Sequence, residues 1–184
     1  MSPRRVIWSI ISCSFLILAI RGQGMIGTGK WTLVVAQNCS RDAEMPHKMY
    51  MHKHKLNRTH VSYDLGATIP EVIDNRIAVR VDIKRKVDGA WKQYMIWADD
   101  CLPCACKQFA GKNMKRGFEA AGIDPPDFPI PKGRYDVHQF IVDANGLPKF
   151  GMYGEWLADA YVVKDGKDMA CQQVVMTYEK TDFY

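Results

Sequence analysis

The stretch RIAVRVDIKRKVDGAWKQYMIWA, residues 76–98, decides the fold. Its first half alternates between polar and apolar side chains, and the apolar ones are Ile77, Val79, Val81 and Ile83. Such a period of two is typical of a strand that buries one face. Asp88-Gly89 is typical of a tight turn, and residues 91–98 return as a second run of strand-forming residues. The stretch therefore predicts an antiparallel β-hairpin.

Strand-forming residues also dominate five other segments, namely 30–37, 56–69, 135–143, 153–163 and 169–178. A second Asp-Gly turn lies in residues 164–167. The charged, His-rich segment 41–55 predicts a loop, and the prolines of residues 122–133 predict an extended one. Residues 105–121 have no strand pattern and could form a helix. The expected fold class is an all-β, mainly antiparallel sandwich or β-cup with one short helical segment, stapled by disulfides.

The N-terminus has the anatomy of a secretory signal peptide. A basic start, MSPRR, precedes the apolar residues 6–20, and RGQG then offers a cleavage point. The apolar run is too short for a comfortable membrane span. We expect residues 1–24 to be removed and residues 25–184 to form one secreted, extracellular domain that does not span a membrane.

Charge argues against a nucleic-acid partner. Removing residues 1–24 takes away three arginines and no acidic residue, so 22 basic and 20 acidic residues remain, a net charge of +2. Nucleic-acid binding needs a concentrated basic face. The excess of basic residues in the full chain thus comes largely from the predicted signal.

Five cysteines remain after residue 24, which are Cys39, Cys101, Cys104, Cys106 and Cys171. An oxidising compartment favours disulfides, and an odd number leaves one spare thiol. A bridge from Cys39 to Cys171 would close a loop of about 130 residues. Within the local group, the spacing favours Cys101 paired with either Cys104 or Cys106.

Two other interpretations of the cysteine group in DDCLPCACKQF, residues 99–109, have less support than a structural disulfide. A redox dithiol at Cys101 and Cys104 normally belongs to a βαβ unit, whereas the flanking segments are antiparallel. A zinc site would combine the three local cysteines with a distant histidine. The candidates are His47, His52, His54 and His60, whose spacing matches no zinc finger. We therefore predict no metal site, no cofactor and no catalytic residue. Two glycosylation sequons, at Asn38 and Asn57, fit a secreted protein.

Two long segments resemble a known family. IAVRVDIKRKVDGAWKQYMIWADDC (residues 77–101) and FPIPKGRYDVHQFIVDANGLPKFGMYGEWLADAYVVKDGKDMACQQVVMTYE (residues 128–179) look like the GM2-activator-like branch of the MD-2-related lipid-recognition proteins. The insect chemosensory-B type, secreted proteins of taste sensilla, is the most similar. The resemblance covers about residues 31–180. One departure is Phe128, where many relatives carry a cysteine.

The resemblance implies a β-cup whose two sheets part to admit a lipid or another long apolar molecule, without catalysis. It also implies a disulfide between Cys39 and Cys171. Because the usual partner of the mid-chain cysteine is replaced by Phe128, the pairing among Cys101, Cys104 and Cys106 stays open.

An apolar ligand needs a concave, mostly hydrophobic site. The candidate lining residues are aromatic, Met or aliphatic side chains of the second half of the chain: Trp91, Met95, Trp97, Phe109, Phe118, Phe128, Ile130, Phe140, Leu147, Phe150, Met152 and Trp156. Residues 143–154 are expected to form the rim.

Three functions follow from these patterns. The first is a carrier or co-receptor for a lipid or hydrophobic semiochemical in contact or pheromone perception. The second is a secreted module that acts on a membrane receptor or channel through its surface, for which the His- and Lys-rich residues 46–60 are the motivation. The third is a dithiol redox protein that uses Cys101 and Cys104.

Overall fold

A computed structural model describes residues 26–56, 61–144 and 147–181. The predicted signal peptide and Asn57 lie outside these residues. Nine strands and one α-helix, α1, make up the described part. In chain order they are β1 (Ile26–Asn38), β2 (Lys48–Lys55), β3 (Val61–Ile69), β4 (Ala78–Val87), β5 (Ala90–Asp99), α1 (Leu102–Ala120), β6 (Gly133–Phe140), β7 (Phe150–Met152), β8 (Gly154–Lys164) and β9 (Lys167–Lys180).

All strand pairs are antiparallel, and the strands form two sheets. One sheet has the order β5-β4-β8-β9-β1-β7, and the other has the order β2-β3-β6. The sheets meet where the backbone N–H of His47, just before β2, donates to the carbonyl of Met169 in β9, at 2.9 Å. The predicted all-β class, with one helix and disulfides, is confirmed.

Both Asp-Gly turns close hairpins. Asp88 and Gly89 have φ values of 52° and 79°, and Asp165 and Gly166 have φ values of 49° and 71°. Two consecutive left-handed residues give the twist that a tight hairpin requires, and Asp and Gly tolerate that conformation. The β4–β5 and β8–β9 hairpins therefore follow directly from the sequence.

The first and last strands are neighbours. Strand β1 pairs with β9 from Gly29 to Asn38, and the Cys39–Cys171 disulfide then joins them, with the two Cα atoms 5.6 Å apart. Cys171 is fully buried, and Met45 packs against the bridge. Beside it, the Asn38 side-chain Nδ2 donates to the carbonyl of Met49 at 2.6 Å. The sequon at Asn38 thus lies in a strand with its amide nitrogen engaged.

Helix α1 has clear start and stop signals. Cys101 is the N-cap, Pro103 stands in the first turn, and the Cys101–Cys104 disulfide spans that turn. At the other end Gly122 adopts a φ of 72°, and the N–H of Ile123 donates to the carbonyl of Phe118 at 2.9 Å. This is a Schellman-type ending, in which glycine relieves the steric cost of the left-handed residue. The helix begins three residues before the predicted start.

One predicted loop is wrong. Residues 48–55 form strand β2, which pairs with β3 from Lys48↔Thr68 to Lys55↔Val61. The charged side chains of β2 are exposed because β2 is an edge strand of the three-stranded sheet. Lysine on an edge strand discourages unwanted pairing, so high charge is compatible with a strand there.

The main core cluster lies between the three-stranded sheet and α1. It contains Ile69, Ile73, Ile77, Ile123 and Ile130, with Phe118 and Phe128 packed against it. Ile73 and Ile130 exchange two backbone hydrogen bonds of 3.0 and 2.9 Å, which tie the proline-rich segment to the connection between β3 and β4. Within the described ranges, no helix is long and apolar enough to cross a membrane.

Candidate functional site

A cavity of about 470 Å³ lies between the three-stranded sheet, α1 and the segment that follows α1. The residues that line it are Met49, Tyr50, Met51, Leu65, Gly66, Ala67, Ile69, Ile73, Leu102, Cys106, Asn113, Met114, Gly117, Phe118, Ala121, Ile123, Phe128, Ile130, Tyr135, Val137, Phe140, Val142 and Gln172. None of these carries a charged side chain. A concave, mostly apolar site of this size is typical of small-molecule binding.

Helix α1 presents one face to the cavity. Leu102, Cys106, Asn113 and Gly117 follow one another at intervals of four, seven and four residues. These intervals place side chains in a line along a helix. A Cβ atom built onto Gly117 would have no neighbouring atom within 4 Å. The glycine therefore leaves open space in this wall.

Most polar groups in the cavity wall have protein partners. The Tyr50 hydroxyl donates to Asp136 Oδ1 at 2.7 Å, and the Tyr135 hydroxyl donates to the carbonyl of Pro131 at 2.9 Å. Asn113 exchanges hydrogen bonds of 2.8 and 2.9 Å with the backbone of Asp143. These contacts fix the polar ends of the side chains and leave their apolar parts to the cavity.

Cys106 is a free thiol in the cavity wall. The local disulfide joins Cys101 to Cys104, and Cys106 stays reduced and partly buried. Burial raises the pKa of the Cys106 thiol. Because the thiolate is the reactive form, Cys106 is a slow nucleophile at neutral pH.

The twelve predicted lining residues separate into three groups. Phe118, Phe128, Ile130 and Phe140 line the cavity. Phe109 and Leu147 instead line a surface pocket of about 410 Å³ on the outer side of α1, and Trp97 packs edge-on against Phe109 with ring centroids 5.3 Å apart. The remaining five lie away from the cavity and are Trp91, Met95, Phe150, Met152 and Trp156.

Those five residues have other surroundings. Trp91 and Met95 are on the edge strand β5, with 37% and 42% of their surface exposed, and Phe150 in β7 is 67% exposed. Trp156 is buried, its Nε1 donates to the carbonyl of Met152 at 3.1 Å, and its ring packs edge-on against Tyr94. A ligand-binding role for all twelve stays a prediction.

The contributions of β2 and of most of the α1 face to the cavity wall were not predicted from the sequence. Met49 and Met51 alternate with Lys48, Tyr50 and His52 in the sequence. This period of two was the available signal for a strand with an inward apolar side. Methionine suits such a wall because its flexible side chain adapts to irregular ligands.

His47 is a buried histidine near the meeting point of the sheets. Its Nε2 lies 3.9 Å from Glu71 Oε1, and Glu71 forms an ion pair with Lys164. Burial lowers the pKa of His47, Lys164 lowers it further, and Glu71 partly opposes both. The neutral imidazole is thus the form that the fold favours.

We expect the protein to lose stability as the pH falls below about 6.5, the ordinary pKa of histidine. The unfolded chain then binds a proton that the folded His47 resists, so acid favours unfolding until the pH has passed the lowered pKa of the folded state. Urea unfolding at pH 7.5 and 5.5 measures the difference. His47→Gln should shrink it, whereas His52→Gln on the exposed part of β2 should leave it unchanged. An equal effect of both variants would contradict this assignment.

In the described part of the chain, no group of three or more His, Cys, Asp or Glu side chains is placed to hold a metal ion.

Comparison with known proteins finds likeness among solved structures only. No family model matches the chain, and no curated protein matches its sequence. No family model or curated sequence therefore supports the resemblance to the insect chemosensory-B type. Among solved structures, chicken MD-1 complexed with lipid IVa is similar at 12% identity and a TM-score of 0.36, over 82% of this chain and 98% of that chain. A likeness this distant supports no conclusion about the present chain.

Proposed function

We propose that this chain is a non-catalytic binding protein for a lipid or another long apolar molecule, held in the cavity between α1 and the three-stranded sheet. The observation that carries the proposal is the cavity of about 470 Å³ with no charged side chain in its wall. Burial of apolar surface is the main source of affinity in such a site, at roughly 25 cal/mol per Å².

The volume suits a ligand of moderate length. An apolar cavity of about 150 Å³ holds benzene, so a space three times as large holds on the order of 15 to 20 non-hydrogen atoms. A medium-length acyl chain or a small terpenoid falls within this range.

The proposal also includes secretion of the protein and a role in chemical perception. Two disulfides fit a protein made in an oxidising compartment, which supports secretion. A role in pheromone or contact perception rests on the sequence resemblance alone.

A second function, action on a membrane receptor or channel, has one supporting observation. The edge strand β2 exposes three lysines, Lys48 on one face and Lys53 and Lys55 on the other. If the protein still bound a membrane receptor or channel after its own cavity had been emptied of lipid and blocked, that result would favour this second function.

Cys106 offers a direct test of the first proposal. The chain, with its own N-terminal segment, is secreted from an expression host, stripped of lipid and titrated with the neutral fluorescent probe N-phenyl-1-naphthylamine. We expect micromolar affinity, because the cavity is apolar and of ligand size. We also expect bound probe to slow alkylation of Cys106 at least fivefold, since the thiol lies in the cavity wall.

The matched control is Cys106→Ala, which should bind the probe and show no alkylation at that site. Absence of probe binding at micromolar concentration would overturn the proposal. Binding with an unchanged rate of Cys106 alkylation would place the ligand outside the cavity and overturn it as well.

A further inference from the structure

Strand β5 forms an exposed edge of the six-stranded sheet. In the part of the chain that the structure describes, β5 pairs with β4 alone. Its side chains are apolar and lie in water: Ile96 is 62% exposed, Tyr94 is 51% exposed and Met95 is 42% exposed. A long edge strand with such side chains is a template for pairing with another strand.

The edge strand β2 shows the contrast. Its exposed side chains are all basic or histidine, namely Lys48, His52, Lys53, His54 and Lys55. Charges of this kind keep an edge strand from pairing with other chains. In β5, residues 93–98 (QYMIWA) carry no charge. The edge at β5 therefore lacks the protection that β2 has.

A β-bulge determines which side chains of β5 share a face. Ile83 of β4 lies opposite Met95, whereas the next residue, Lys84, lies opposite Gln93. Tyr94 is thus an extra residue that has no position of its own on β4. Beyond this residue, the alternation of side chains between the two faces of the sheet is shifted by one.

The bulge brings the two charged residues of β5 to one face. Lys92 lies opposite Arg85 of β4, and Asp99 lies opposite Val79. Positions 79 and 85 differ by an even number of residues, so they and the residues opposite them share a face. Lys92 has a like charge beside it, and its ion pair with Asp88 is exposed and 4.0 Å long. Like charges directly opposite each other are destabilising, so an acidic neighbour on the free side of β5 would be favourable.

The edge is complementary to a second copy of itself. Two β5 strands can pair antiparallel about a two-fold axis perpendicular to the sheet, which keeps each face on its own side. With the axis at Ile96, this residue opposes its own copy, and Met95 opposes Trp97. Past the bulge, Lys92 of each copy opposes Asp99 of the other. Apolar side chains thus meet at the centre, and opposite charges meet at both ends.

Neighbouring registers do not give this match. With the axis at Met95, Lys92 would oppose Trp97 and Asp99 would oppose Ala90. With the axis at Trp97, Asp99 would oppose Met95. Each of these arrangements sets a charge against an apolar side chain. Of the three registers, only the first pairs opposite charges.

We propose that two copies of this chain associate through β5, so that their six-stranded sheets join into one continuous sheet. The ring of Trp97 packs against Phe109 of α1, with centroids 5.3 Å apart. Helix α1 therefore lies on the face that carries Trp97, and the two-fold axis places both helices on the same side of the joined sheet. The inference goes beyond the proposed binding function and does not depend on the ligand.

Analytical ultracentrifugation of the secreted, lipid-stripped chain measures the association. We expect a monomer–dimer equilibrium with a Kd on the order of 10 µM, because one pair of strands buries less surface than a standard interface. Salt at about 1 M should weaken the dimer several-fold, since it screens the ion pairs between Lys92 and Asp99.

Ile96→Lys tests the position of the axis. The substitution sets two ammonium groups against each other, so the Kd should rise at least about 100-fold. The fold should tolerate the change because Ile96 is exposed. Ile141→Lys, the same substitution at a residue that is 44% exposed and lies outside β5, is the matched control. Its Kd should stay within about twofold of the original.

An exchange of charges tests the register. Lys92→Glu sets a carboxylate against Asp99 of the second copy and should weaken the dimer about tenfold. Adding Asp99→Lys to the same chain restores opposite charges in reversed order and should recover most of the affinity. Asp99 Oδ1 also accepts from the N–H of Cys101 at 2.8 Å, so circular dichroism must show that the double variant is folded. If it is not folded, Ile96→Lys decides alone.

The results that overturn the inference are distinct from those that bear on ligand binding. A chain that stays monomeric at submillimolar concentration, or a dimer that Ile96→Lys leaves intact, would overturn it. So would dissociation by Ile141→Lys alone, or a folded double charge variant that does not recover. A monomer that sediments with phosphatidylcholine vesicles unless Ile96 is replaced by lysine would show that β5 meets a membrane instead of a second copy.

Discussion

Replacing Cys39 and Cys171 together by alanine is expected to lower the free energy of unfolding by about 5 kcal/mol. The disulfide spans a sequence separation of 132 residues, and the chain-entropy model assigns a large stabilisation to the closure of so long a loop. Single domains are stable by only about 5–15 kcal/mol. The double variant should therefore be partly or fully unfolded at 37 °C, as urea unfolding followed by circular dichroism would show.

The second disulfide supplies the matched control. Cys101 and Cys104 are only three residues apart, and the same model gives roughly 2 kcal/mol for so short a loop. Cys101→Ala with Cys104→Ala should therefore lose less than half as much stability. Equal losses of unfolding free energy in the two double variants would show that the Cys39–Cys171 disulfide does not stabilise the fold through the length of the loop that it closes.

Gly117→Phe is expected to weaken binding of an apolar probe at least tenfold. Gly117 lies in the cavity wall on α1 with open space around its Cβ position, so a phenyl group there can occupy the volume that the ligand needs. The fold should tolerate the change, because any ordinary residue is a better helix former than glycine by roughly 0.5 kcal/mol. Fluorescence titration gives the affinity and thermal unfolding gives the stability.

Gly111→Phe is the control for this change. Gly111 is also inside α1 with open space at its Cβ position, but it lines the outer pocket beside Phe109 and Leu147. Its substitution should raise helix stability similarly and leave probe affinity within about twofold, since Gly111 does not line the cavity. If only Gly111→Phe lost affinity for the probe, the binding site would be the outer pocket and not the cavity.

The hairpins could be predicted from the sequence because local signals determine them. The alternation of residues 76–86 and the Asp-Gly turns at residues 88–89 and 165–166 act within a few residues. Strand β2 was harder to predict, because its period-two signal is limited to Met49 and Met51. Its exposed lysines and histidines look like a loop, and only pairing with β3, a contact decided by the tertiary fold, makes them an edge strand.

The candidate site was harder to predict because periodicity tells which residues share a face but not what covers that face. Phe118 and Phe140 line the cavity because α1 lies over the three-stranded sheet. Trp91 and Met95 belong to an equally apolar strand, yet β5 is the last strand of its sheet and has only one neighbour. Strand order depends on contacts between distant parts of the chain, and no local pattern in the sequence encodes it.

The long disulfide also has a consequence for a chain that meets proteases. Every residue of the cavity wall except Gln172 lies between Cys39 and Cys171 in the sequence. A single backbone cut anywhere within that interval leaves two fragments that are still joined covalently. Such a nicked molecule would migrate as one species on a gel until a reductant is added, and both fragments would stay together around the cavity.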